Sequence, residues 1–553
     1  MSATQTLPTK THDKPASTVD AVIVGAGFAG MYMQHRLRSL GLSVRNFEAA
    51  TGVGGTWFWN RYPGARCDVE SMQYSFSFLN ELQQEWKWSE KFAAQPEILR
   101  YANHVADRLD LRRHIEFETR VTDAVYDEEN SVWQIRTQTG EMVTARYCIM
   151  AVGCLSSART PDFKGLENFK GQTYHTGEFP HEGVDFTGKR VGVIGTGSSA
   201  IQAIPVIAEQ AAHLTVFQRT PNFSIPSRNT AMPAEYEQWW KANYPEQRLK
   251  AREMRTGVLN QINEKGAMEV SDDERRQTYE DRWAQGGTAF MASFSDLIVS
   301  KASNDTAVAF VHNKIRSVVT DPAVAELLLP KNHPIGTKRI CVDTNYYQTY
   351  NRANVTLVDI KGAPIEEITP NGLRTGGQEY EFDAIVFATG FDAMTGSLLK
   401  MGIVGRGGRQ LSEKWAAGPR TYLGLMTAGF PNLFLITGPG SPSVLSNMIV
   451  SIEQHVDWVV NCVTDLRANG METIEATEAA ENNWVEHVNE MAFRTLYPGA
   501  NSWYMGANIP GKPQVFMPYI GGVGAYRHKC TEIANRNYEG FHLAGQTAAV
   551  AAE

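Results

Sequence analysis

Two glycine-rich segments of the same design constrain the fold of this chain more than any other feature. The first, VIVGAGFAG, joins a short apolar run, Ala21–Val24, to a segment with helical spacing, Met31–Leu40. The second, GVIGTGSSA, again stands between an apolar strand and a helix. In such a strand–turn–helix unit the glycines permit a tight turn and let phosphates approach the backbone at the helix N-terminus. The repeat therefore predicts an α/β fold with two Rossmann-like dinucleotide-binding domains.

The first copy carries the acidic residue that a dinucleotide site needs. Gly25, Gly27 and Gly30 complete G-x-G-x-x-G, and the next strand ends in Glu48, 18 residues after the third glycine. A carboxylate at that place can accept hydrogen bonds from ribose hydroxyls. The spacing favours FAD or NAD at this site over a glycine turn that binds no ligand.

The second copy differs at the corresponding strand end. Gly195, Gly197 and Ala200 give G-x-G-x-x-A, and the following strand, Leu214–Gln218, ends in Arg219 and Thr220. An acid there would repel a 2′-phosphate, whereas an arginine can bind one through forked hydrogen bonds. The second site is thus predicted to bind NADP, the alternative being that Arg219 is an ordinary surface arginine.

At 553 residues the chain is too long for one hydrophobic core. The stretch IVFATGFD, 385–392, is interpreted as a strand that returns the chain from the second domain to the first, and helices are expected to begin at Ser271 and Asp321. The predicted organisation is a disordered lead-in (1–18), a first domain (19–155 and 385–543), a second domain (156–227 and 335–384), a helical insertion (228–334) and a tail (544–553).

Composition excludes several classes of protein. The net charge of −8, with lysines and arginines scattered along the chain, argues against nucleic acid or an anionic membrane as a main partner. The N-terminal segment, 1–20, shows no apolar core of signal-peptide length, and no stretch approaches the length of a membrane span. The six cysteines form no C-x-x-C pair and no zinc spacing, so neither a disulfide reductase nor a metal site is expected. A cytoplasmic monomer or weak homo-oligomer is the default expectation.

Two further segments carry a resemblance to a known family. GGTWFWNRYPGARCD, 54–68, matches in full the pattern G-G-x-W-x-x-x-x-Y-P-G-x-x-x-D of the Baeyer–Villiger monooxygenases. FKGQTYHTGEFP, 169–180, resembles their shorter fingerprint, although Phe179 stands where tryptophan is usual. The resemblance runs from about residue 19 to 541 and is densest with the branch of phenylacetone and steroid monooxygenases, on the segments GTKR, WAAGPRTYLGL, GPGSPSVLSNM and SWYMGANIPGKP.

The histidine of the shorter fingerprint, His175, has two readings. From the residues alone it is either a catalytic base or part of a joint between the two nucleotide-binding domains. No nucleophile or metal partner stands near it in the sequence to mark it as catalytic. The family resemblance implies the joint. The departure at Phe179 removes an indole N–H that tryptophan would donate.

The resemblance also implies the chemistry. NADPH would reduce FAD, O₂ would form a peroxyflavin, and attack on a ketone would insert one oxygen atom to give an ester or lactone. No cysteine or histidine lies in a recognisable flavin-attachment motif, so FAD is expected to be noncovalent. The rival readings are a flavin N- or S-oxygenase and, from another class, a nucleotide-binding redox sensor without turnover.

Site residues follow from the same resemblance. Arg339 would supply a fixed cation for anionic oxygen, and Asp68 would hold that arginine in place and contact the nicotinamide side. By themselves, Lys338 and Arg339 are equally consistent with a solvated basic pair, and Asp68 with a turn cap. Lys338 would join Arg219 and Thr220 at the 2′-phosphate. The other implied contacts are Thr56, Trp57, Tyr74, Val121 and Met448 for FAD, which core packing would also explain; Arg66, Thr196, Gly197, Ser198 and Ser199 for NADP; Trp503 in a mobile loop; and Ser443, Val444 and Leu445 at the substrate pocket.

Overall fold

The computed structural model describes residues 17–545, which contain twenty strands and fifteen α-helices. The strands are β1 (Ser17–Val24), β2 (Val44–Phe47), β3 (Ile115–Glu116), β4 (Val121–Asp127), β5 (Val132–Thr137), β6 (Met142–Met150), β7 (Gln172–His175), β8 (Arg190–Ile194), β9 (His213–Gln218), β10 (Ser224–Pro226), β11 (Cys341–Asp343), β12 (Val355–Asp359), β13 (Ile365–Thr369), β14 (Gly372–Thr375), β15 (Gln378–Glu381), β16 (Ala384–Phe387), β17 (Gly402–Val404), β18 (Leu433–Leu435), β19 (Met471–Ala476) and β20 (Phe541–Gly545).

The helices alternate with these strands in the manner of an α/β protein. They are α1 (Phe28–Ser39), α2 (Thr56–Trp59), α3 (Asn80–Glu85), α4 (Gln95–Arg108), α5 (Ser198–Gln210), α6 (Ala234–Glu253), α7 (Asp272–Gln285), α8 (Lys301–Val318), α9 (Pro322–Leu328), α10 (Tyr346–Thr349), α11 (Gly396–Leu399), α12 (Leu411–Lys414), α13 (Met448–Ala468), α14 (Glu478–Phe493) and α15 (Val523–Asn535).

Two separate sheets organise the molecule, one for each glycine-rich segment. The first has the order β17-β4-β5-β6-β1-β2-β3, with β18 also paired to β6. β1 lies parallel to β2 and β6 at its centre and is apolar and buried from Ala21 to Val24, because Ala21 and Ile23 share a core cluster with α1 and α13 while Val22 and Val24 share another with β4 and β5. Helices α1 and α13 pack together in the core beside it.

The second sheet is entirely parallel, with the order β12-β9-β8-β16-β7. The predicted boundary at residue 385 falls inside β16, whose residues pair with β8 on one side and β7 on the other. The stretch IVFATGFD was therefore wrongly interpreted as a returning strand. Its apolar half completes the second sheet, since Ala384–Phe387 are buried on both faces, and the chain turns back only after Phe387.

The chain crosses between the two units as a paired ribbon. The outgoing segment is 151–159 and the returning one is 388–395. They are joined by a bridge between Ala158 and Phe391 and by a hydrogen bond from Arg159 N to Gly390 O of 3.1 Å. We refer to these two segments as the crossing ribbon.

The segment 228–334 is helical, as expected, but it is not a separate body. Helix α6 contributes Trp240 and Tyr244 to the core of the first unit, whereas α7 and α8 contribute Tyr279 and Val311 to the core of the second. The helix starts at Ser271 and Asp321 are confirmed, because each side chain accepts a hydrogen bond from the first turn of the helix that follows.

The structure changes the predicted boundaries of the lead-in and the tail. Ser17 and Thr18, assigned to the lead-in, belong to β1, and Ala544 and Gly545, assigned to the tail, belong to β20. The remainder of both predicted segments lies outside the described residues. Across 17–545, every helix is too short or too polar to traverse a lipid bilayer.

Candidate active site

A cavity of about 240 Å³ opens where the two units meet. Lys338 and Arg339 line it from the second unit, and Val444 and Leu445 line it from the loop before α13 in the first unit. Most of the remaining wall is apolar or aromatic, including Ile298, Tyr497, Tyr504 and Ile520. A concave apolar pocket with a few charged groups is typical of a small-molecule site.

The cation in this wall is paired with the acid that closes the longer family pattern. Arg339 Nη2 donates to Asp68 Oδ2 at 3.1 Å, although 271 residues separate the two in sequence. The Asp68 side chain is 10% exposed and that of Arg339 is 35% exposed. The acid is thus buried behind an arginine whose other face is open to the cavity.

Burial and charge shift the pKa values of Arg339 and Asp68 in opposite directions. Burial alone would lower the pKa of Arg339, but the charge of Asp68 raises it above its usual range, so the guanidinium stays protonated. Burial raises the pKa of Asp68, and the charge and hydrogen bond of Arg339 only partly reverse that rise. Arg339 thus holds the pKa of Asp68 below the value that burial alone would give, and Asp68 holds Arg339 in place.

Gln202, on α5 of the second unit, organises the same region and was not anticipated from the sequence. Its Oε1 accepts from the Tyr62 hydroxyl at 2.8 Å, and its Nε2 donates to Arg66 O at 3.1 Å and to Asp68 Oδ1 at 3.4 Å. Gln202 lies one helical turn after Ser198, on the same face, so helical periodicity could have identified it.

Gly64 permits this close approach between the units. Its φ is +79°, and a Cβ atom at this position would lie 2.3 Å from Gln202 O. The glycine of the Y-P-G segment therefore lets α5 rest directly on the loop that carries Asp68.

A strained loop places a second acceptor on Arg339. Val444 has φ of +59°, a left-handed conformation that a β-branched residue rarely adopts, and its carbonyl accepts from Arg339 Nη1 at 3.4 Å. Ser443 is fully buried and receives a hydrogen bond from Ser441 at 3.1 Å, so it supports the loop rather than facing the cavity. Val444 and Leu445 are the parts of the predicted pocket edge that line the cavity.

The first glycine loop is closed by the acid predicted for it. Glu48 follows β2, and its two carboxylate oxygens accept from Ala26 N at 2.6 Å and Ala50 N at 2.8 Å. Burial raises the pKa of Glu48 despite these bonds. Gly25 has φ of +109°, and a Cβ atom at Gly30 would lie 1.8 Å from Gly25 O, so the turn excludes larger residues. Gly27 caps α1 without a side-chain hydrogen bond, which leaves the helix N-terminus available to phosphates.

The residues implied as flavin contacts divide into two groups. Trp57, Tyr74 and Met448 pack in one cluster, with Trp57 Nε1 donating to the Tyr74 hydroxyl at 3.1 Å, and Thr56 begins α2 with its side chain exposed beside them. Val121 instead lies at the start of β4 in a different core cluster. The structure brings the first four together and leaves Val121 among sheet residues.

The second glycine loop also ends in an uncapped helix. Gly197 stands before α5, and a Cβ atom there would meet no other atom within 4 Å, so the space above the helix N-terminus is open. Thr196 donates to Thr220 O at 2.8 Å and joins the glycine loop to the end of β9. Ser198 contacts the Cys341 thiol at 3.3 Å and Ser199 contacts Thr176 at 3.1 Å.

Two cations stand next to that open space. Burial lowers the pKa of Lys338, and the neighbouring charge of Arg219 lowers it further. Neither residue forms an ion pair with any acid in residues 17–545. Two adjacent cations without an acid are arranged for an external anion, which is the feature that a 2′-phosphate would satisfy. Arg66 differs, because its guanidinium is already bound to Glu90 and to Phe92 O.

Tyr504 lies beside Arg339, and Trp503 precedes it in the same loop. Trp503 begins a short 3-10 turn, and its ring lies 4.2 Å from that of Tyr504. Tyr504 lines the cavity and is buried, and burial raises its pKa to about 12 although the charge of Arg339 opposes the rise. Tyr504 was not anticipated; its place beside Trp503 in the same loop was the available signal.

His175, at the end of β7, contacts the crossing ribbon and does not line the cavity. Its Nδ1 accepts from Gly177 N at 3.0 Å, so Nε2 carries the proton and donates to Arg159 O at 3.1 Å. Burial lowers its pKa, which keeps the ring neutral. Phe179, close by, is 3% exposed and packs against Tyr174, so an apolar ring suffices at this position.

The comparison with protein families finds one match over more than half of the chain. The family model for pyridine nucleotide-disulphide oxidoreductases matches residues 22–319. The disulfide part of that name has no counterpart here, because all six cysteines are free and buried. The match concerns the nucleotide-binding architecture.

Several relatives match along nearly their whole length. A Baeyer-Villiger monooxygenase from Pseudooceanicola batsensis is 43% identical over 94% of this chain and 95% of its own. An acetone monooxygenase (methyl acetate-forming) from Gordonia sp. is 41% identical over 95% of this chain and 99% of its own. The phenazine N-monooxygenase PhzNO1 from Lysobacter antibioticus is 42% identical over 96% of this chain and 98% of its own.

Solved structures agree with these relatives. Oxidized steroid monooxygenase bound to NADP is 57% identical and superimposes with a TM-score of 0.92 over 96% of this chain and 100% of that one. The OTEMO complex with FAD and NADP is 43% identical with a TM-score of 0.93 and the same coverage.

Proposed function

Because this chain belongs to the Baeyer–Villiger monooxygenases, we propose that it uses FAD, NADPH and O₂ to insert one oxygen atom beside a ketone carbonyl, giving an ester or lactone. The observation that carries the proposal is the Arg339–Asp68 pair in the wall of an apolar cavity. When bound and reduced by NADPH, FAD activates O₂ for transfer to the ketone.

The residues of the chain fit both nucleotides. For FAD, the uncapped N-terminus of α1, the tight turn at Gly25 and Gly30, and the buried carboxylate of Glu48 form a cradle for a dinucleotide. For NADPH, the open space above Gly197 leads to Arg219 and Lys338. We infer that these two cations bind the 2′-phosphate, together with Thr220.

Arg339 would act on the oxygen atoms of the substrate. As a ketone carbonyl is attacked, negative charge develops on its oxygen, and a cation already fixed beside that position stabilises the charge without reorganisation. Asp68 keeps the guanidinium in place from behind, while Val444 O holds its other nitrogen. The apolar wall limits water around the reacting group, which strengthens the interaction.

Asp68 and Gln202 would also set the position of the nicotinamide. Both approach the cavity from the interface between α5 and the Gly64 loop, which faces the open end of the second glycine loop. Arg66 is assigned no direct contact with NADPH in this proposal, because its charge is neutralised by Glu90. Trp503 and Tyr504 would cover the same space from the opposite side.

N-oxygenation is the second candidate, because a relative of nearly equal identity is a phenazine N-monooxygenase. An amine nitrogen that accepts oxygen develops no carbonyl oxyanion, so it makes less use of Arg339. The arginine in the cavity wall therefore favours the ketone reaction.

The test is product analysis under O₂. The purified protein would be supplied with NADPH and a panel of aryl, cyclic and steroid ketones alongside tertiary amines and N-heterocycles of matched size. A ketone product heavier by one oxygen atom, with one NADPH consumed per ester, supports the proposal. N-oxides in the absence of any ester contradict it. Acid denaturation should release the FAD, because we propose noncovalent binding.

A further inference from the structure

The loop 500–517 holds Tyr504 against the cavity, with Trp503 packed on its ring, although the loop contains almost no regular structure. A single 3-10 turn, Trp503–Met505, interrupts it. Met517 N donates to Tyr504 O at 2.9 Å within the loop, and Gly440 N of the first unit donates to Met517 O at 2.7 Å. Neither of these bonds attaches residues 506–514 to the rest of the protein.

That part of the loop is attached to the crossing ribbon. Asn508 Nδ2 donates to Phe391 O at 2.8 Å, and the Arg159 guanidinium donates to Asn508 O. Lys512 Nζ donates to Asp392 Oδ1 at 2.6 Å and to Ala393 O at 2.9 Å. The loop therefore touches both strands of the ribbon.

The Lys512–Asp392 pair is the charged part of this attachment, and both of its side chains are largely shielded from solvent. The Lys512 side chain is 10% exposed and that of Asp392 is 25% exposed. The methylene groups of Lys512 lie over Gly506, at 3.3 Å from the position of a Cβ atom there. The pair is shielded from solvent on the loop side, so the attraction between its two charges is stronger than in an exposed pair.

The same ribbon is held from the other unit by His175. Its Nε2 donates to Arg159 O, and its ring meets Phe391 edge-on at 6.2 Å. Arg159 and Phe391 thus contact His175 on one side and Asn508 on the other. A displacement of either unit about the ribbon would change the site to which Lys512 is attached.

We propose that Lys512 is a positioning residue: its pairing with Asp392 anchors the loop 500–517 to the crossing ribbon, so that Tyr504, with Trp503 packed against it, covers the Arg339 cavity. Lys512 contacts no substrate in this role. It determines how often the cavity is covered when oxygen transfer occurs, and hence how much NADPH oxidation ends in ester instead of hydrogen peroxide. The second half of this inference rests on the proposed function.

The first experiment follows the loop itself. Lys512→Met removes the charge and keeps the stem over Gly506, while Lys512→Arg retains the charge. Limited chymotrypsin digestion, with cuts after Trp503 and Tyr504 located by mass spectrometry, reports the fraction of time the loop is open. Because a charge-assisted hydrogen bond is lost, the initial cutting rate should rise roughly tenfold or more in Lys512→Met and remain near that of the parent in Lys512→Arg.

The second experiment measures coupling in the same preparations. In Lys512→Met, FAD reduction by saturating NADPH should stay within about twofold of the parent, whereas ester formed per NADPH should fall several-fold and peroxide should rise correspondingly. Asp392→Asn should behave in the same way, and the double variant should be no worse than the more affected single one. Lys529→Met, which removes an exposed pair with Glu532, is the matched control and should change nothing.

The outcomes separate the two proposals. Unchanged digestion in both Lys512→Met and Asp392→Asn overturns the anchor. Faster digestion with unchanged ester per NADPH overturns the positioning role. A parent protein that converts no ketone at all contradicts the proposed function, while the digestion result still decides whether Lys512 anchors the loop.

Discussion

Replacing Arg339 by alanine separates the two halves of the proposed reaction. Reduction of FAD requires NADPH to be anchored and its nicotinamide to be placed, and the proposed phosphate contacts, Arg219 and Lys338, remain in the variant. Oxygen insertion additionally requires a cation where the carbonyl oxygen becomes negative. We therefore expect Arg339→Ala to keep consuming NADPH, to release hydrogen peroxide and to form little ester.

The size of the effect follows from the geometry of the pair. Loss of one preorganised donor to an oxyanion typically costs about 10²–10³ in rate, or roughly 2.7–4 kcal/mol. Arg339 carries a full charge, which would increase the loss, but its side chain is 35% exposed, which screens part of that charge. We expect the rate of ester formation to fall within that range.

The variant also leaves Asp68 without its cation, and this gives the substitution a distinctive dependence on pH. Removing one partner of a fully buried pair costs about 3–5 kcal/mol, and the exposure of Arg339 places this case at or below the lower end. Burial already raises the pKa of Asp68 above its usual value, so without Arg339 it should rise further. An acid whose pKa is higher in the folded protein binds more protons there, so the free energy of unfolding falls as pH rises through that pKa. Arg339→Ala should lose more thermal stability at pH 8 than at pH 5.5.

The assay combines stopped-flow FAD reduction, ester and peroxide yields, and thermal unfolding at the two pH values. Arg316→Ala, which removes an exposed pair with Glu326, serves as the control for loss of an arginine. Adding Asp68→Asn to Arg339→Ala should remove the pH dependence of the stability loss without restoring ester. An ester yield per NADPH equal to that of the parent would refute the role of Arg339, whatever happens to stability.

Three further predictions test other parts of the site. Arg219→Ala should raise KM for NADPH roughly ten- to a hundredfold, from a loss of about 1.5–3 kcal/mol, and leave KM for NADH nearly unchanged; equal effects on both coenzymes would remove it from the phosphate site. Gly64→Ala should destabilise the protein by about 1–3 kcal/mol in chemical unfolding, because its Cβ would collide with α5; unchanged stability would contradict the tight contact. His175→Ala should slow turnover yet still give ester, and complete loss of ester with FAD still reducible would indicate catalysis instead.

The predictions from sequence succeeded where the determinants are local. The turn at Gly25, the carboxylate of Glu48 and the N-caps at Ser271 and Asp321 depend on residues within one strand–helix unit, so spacing alone located them. Arg339 and Asp68 meet across 271 positions, and no periodicity connects them. Only the family resemblance brought them together before the structure did.

The errors have physical reasons of the same kind. A buried apolar strand such as β16 has the same sequence pattern whichever sheet it joins. The strands with which it pairs decide the sheet, and they are remote in sequence. The segment 228–334 showed helical character, but which core each helix enters depends on long-range packing. The coenzyme contact implied for Arg66 stays a prediction; its ion pair with Glu90 comes from a bridge between loops that spacing does not reveal.

The pairing of the outgoing and returning strands at Ala158 and Phe391 gives the second unit adjacent ends. Such a unit can be exchanged between relatives through two junctions that lie side by side, and helix α6, which packs in the core of the first unit, is exchanged with it. Arg339 travels with that unit, whereas the loop carrying Val444 stays behind. Recombination at the ribbon would transfer coenzyme preference, the cation of the cavity and the wall residues between Met254 and Ile340 as one heritable block, leaving the wall around Val444 to diversify independently.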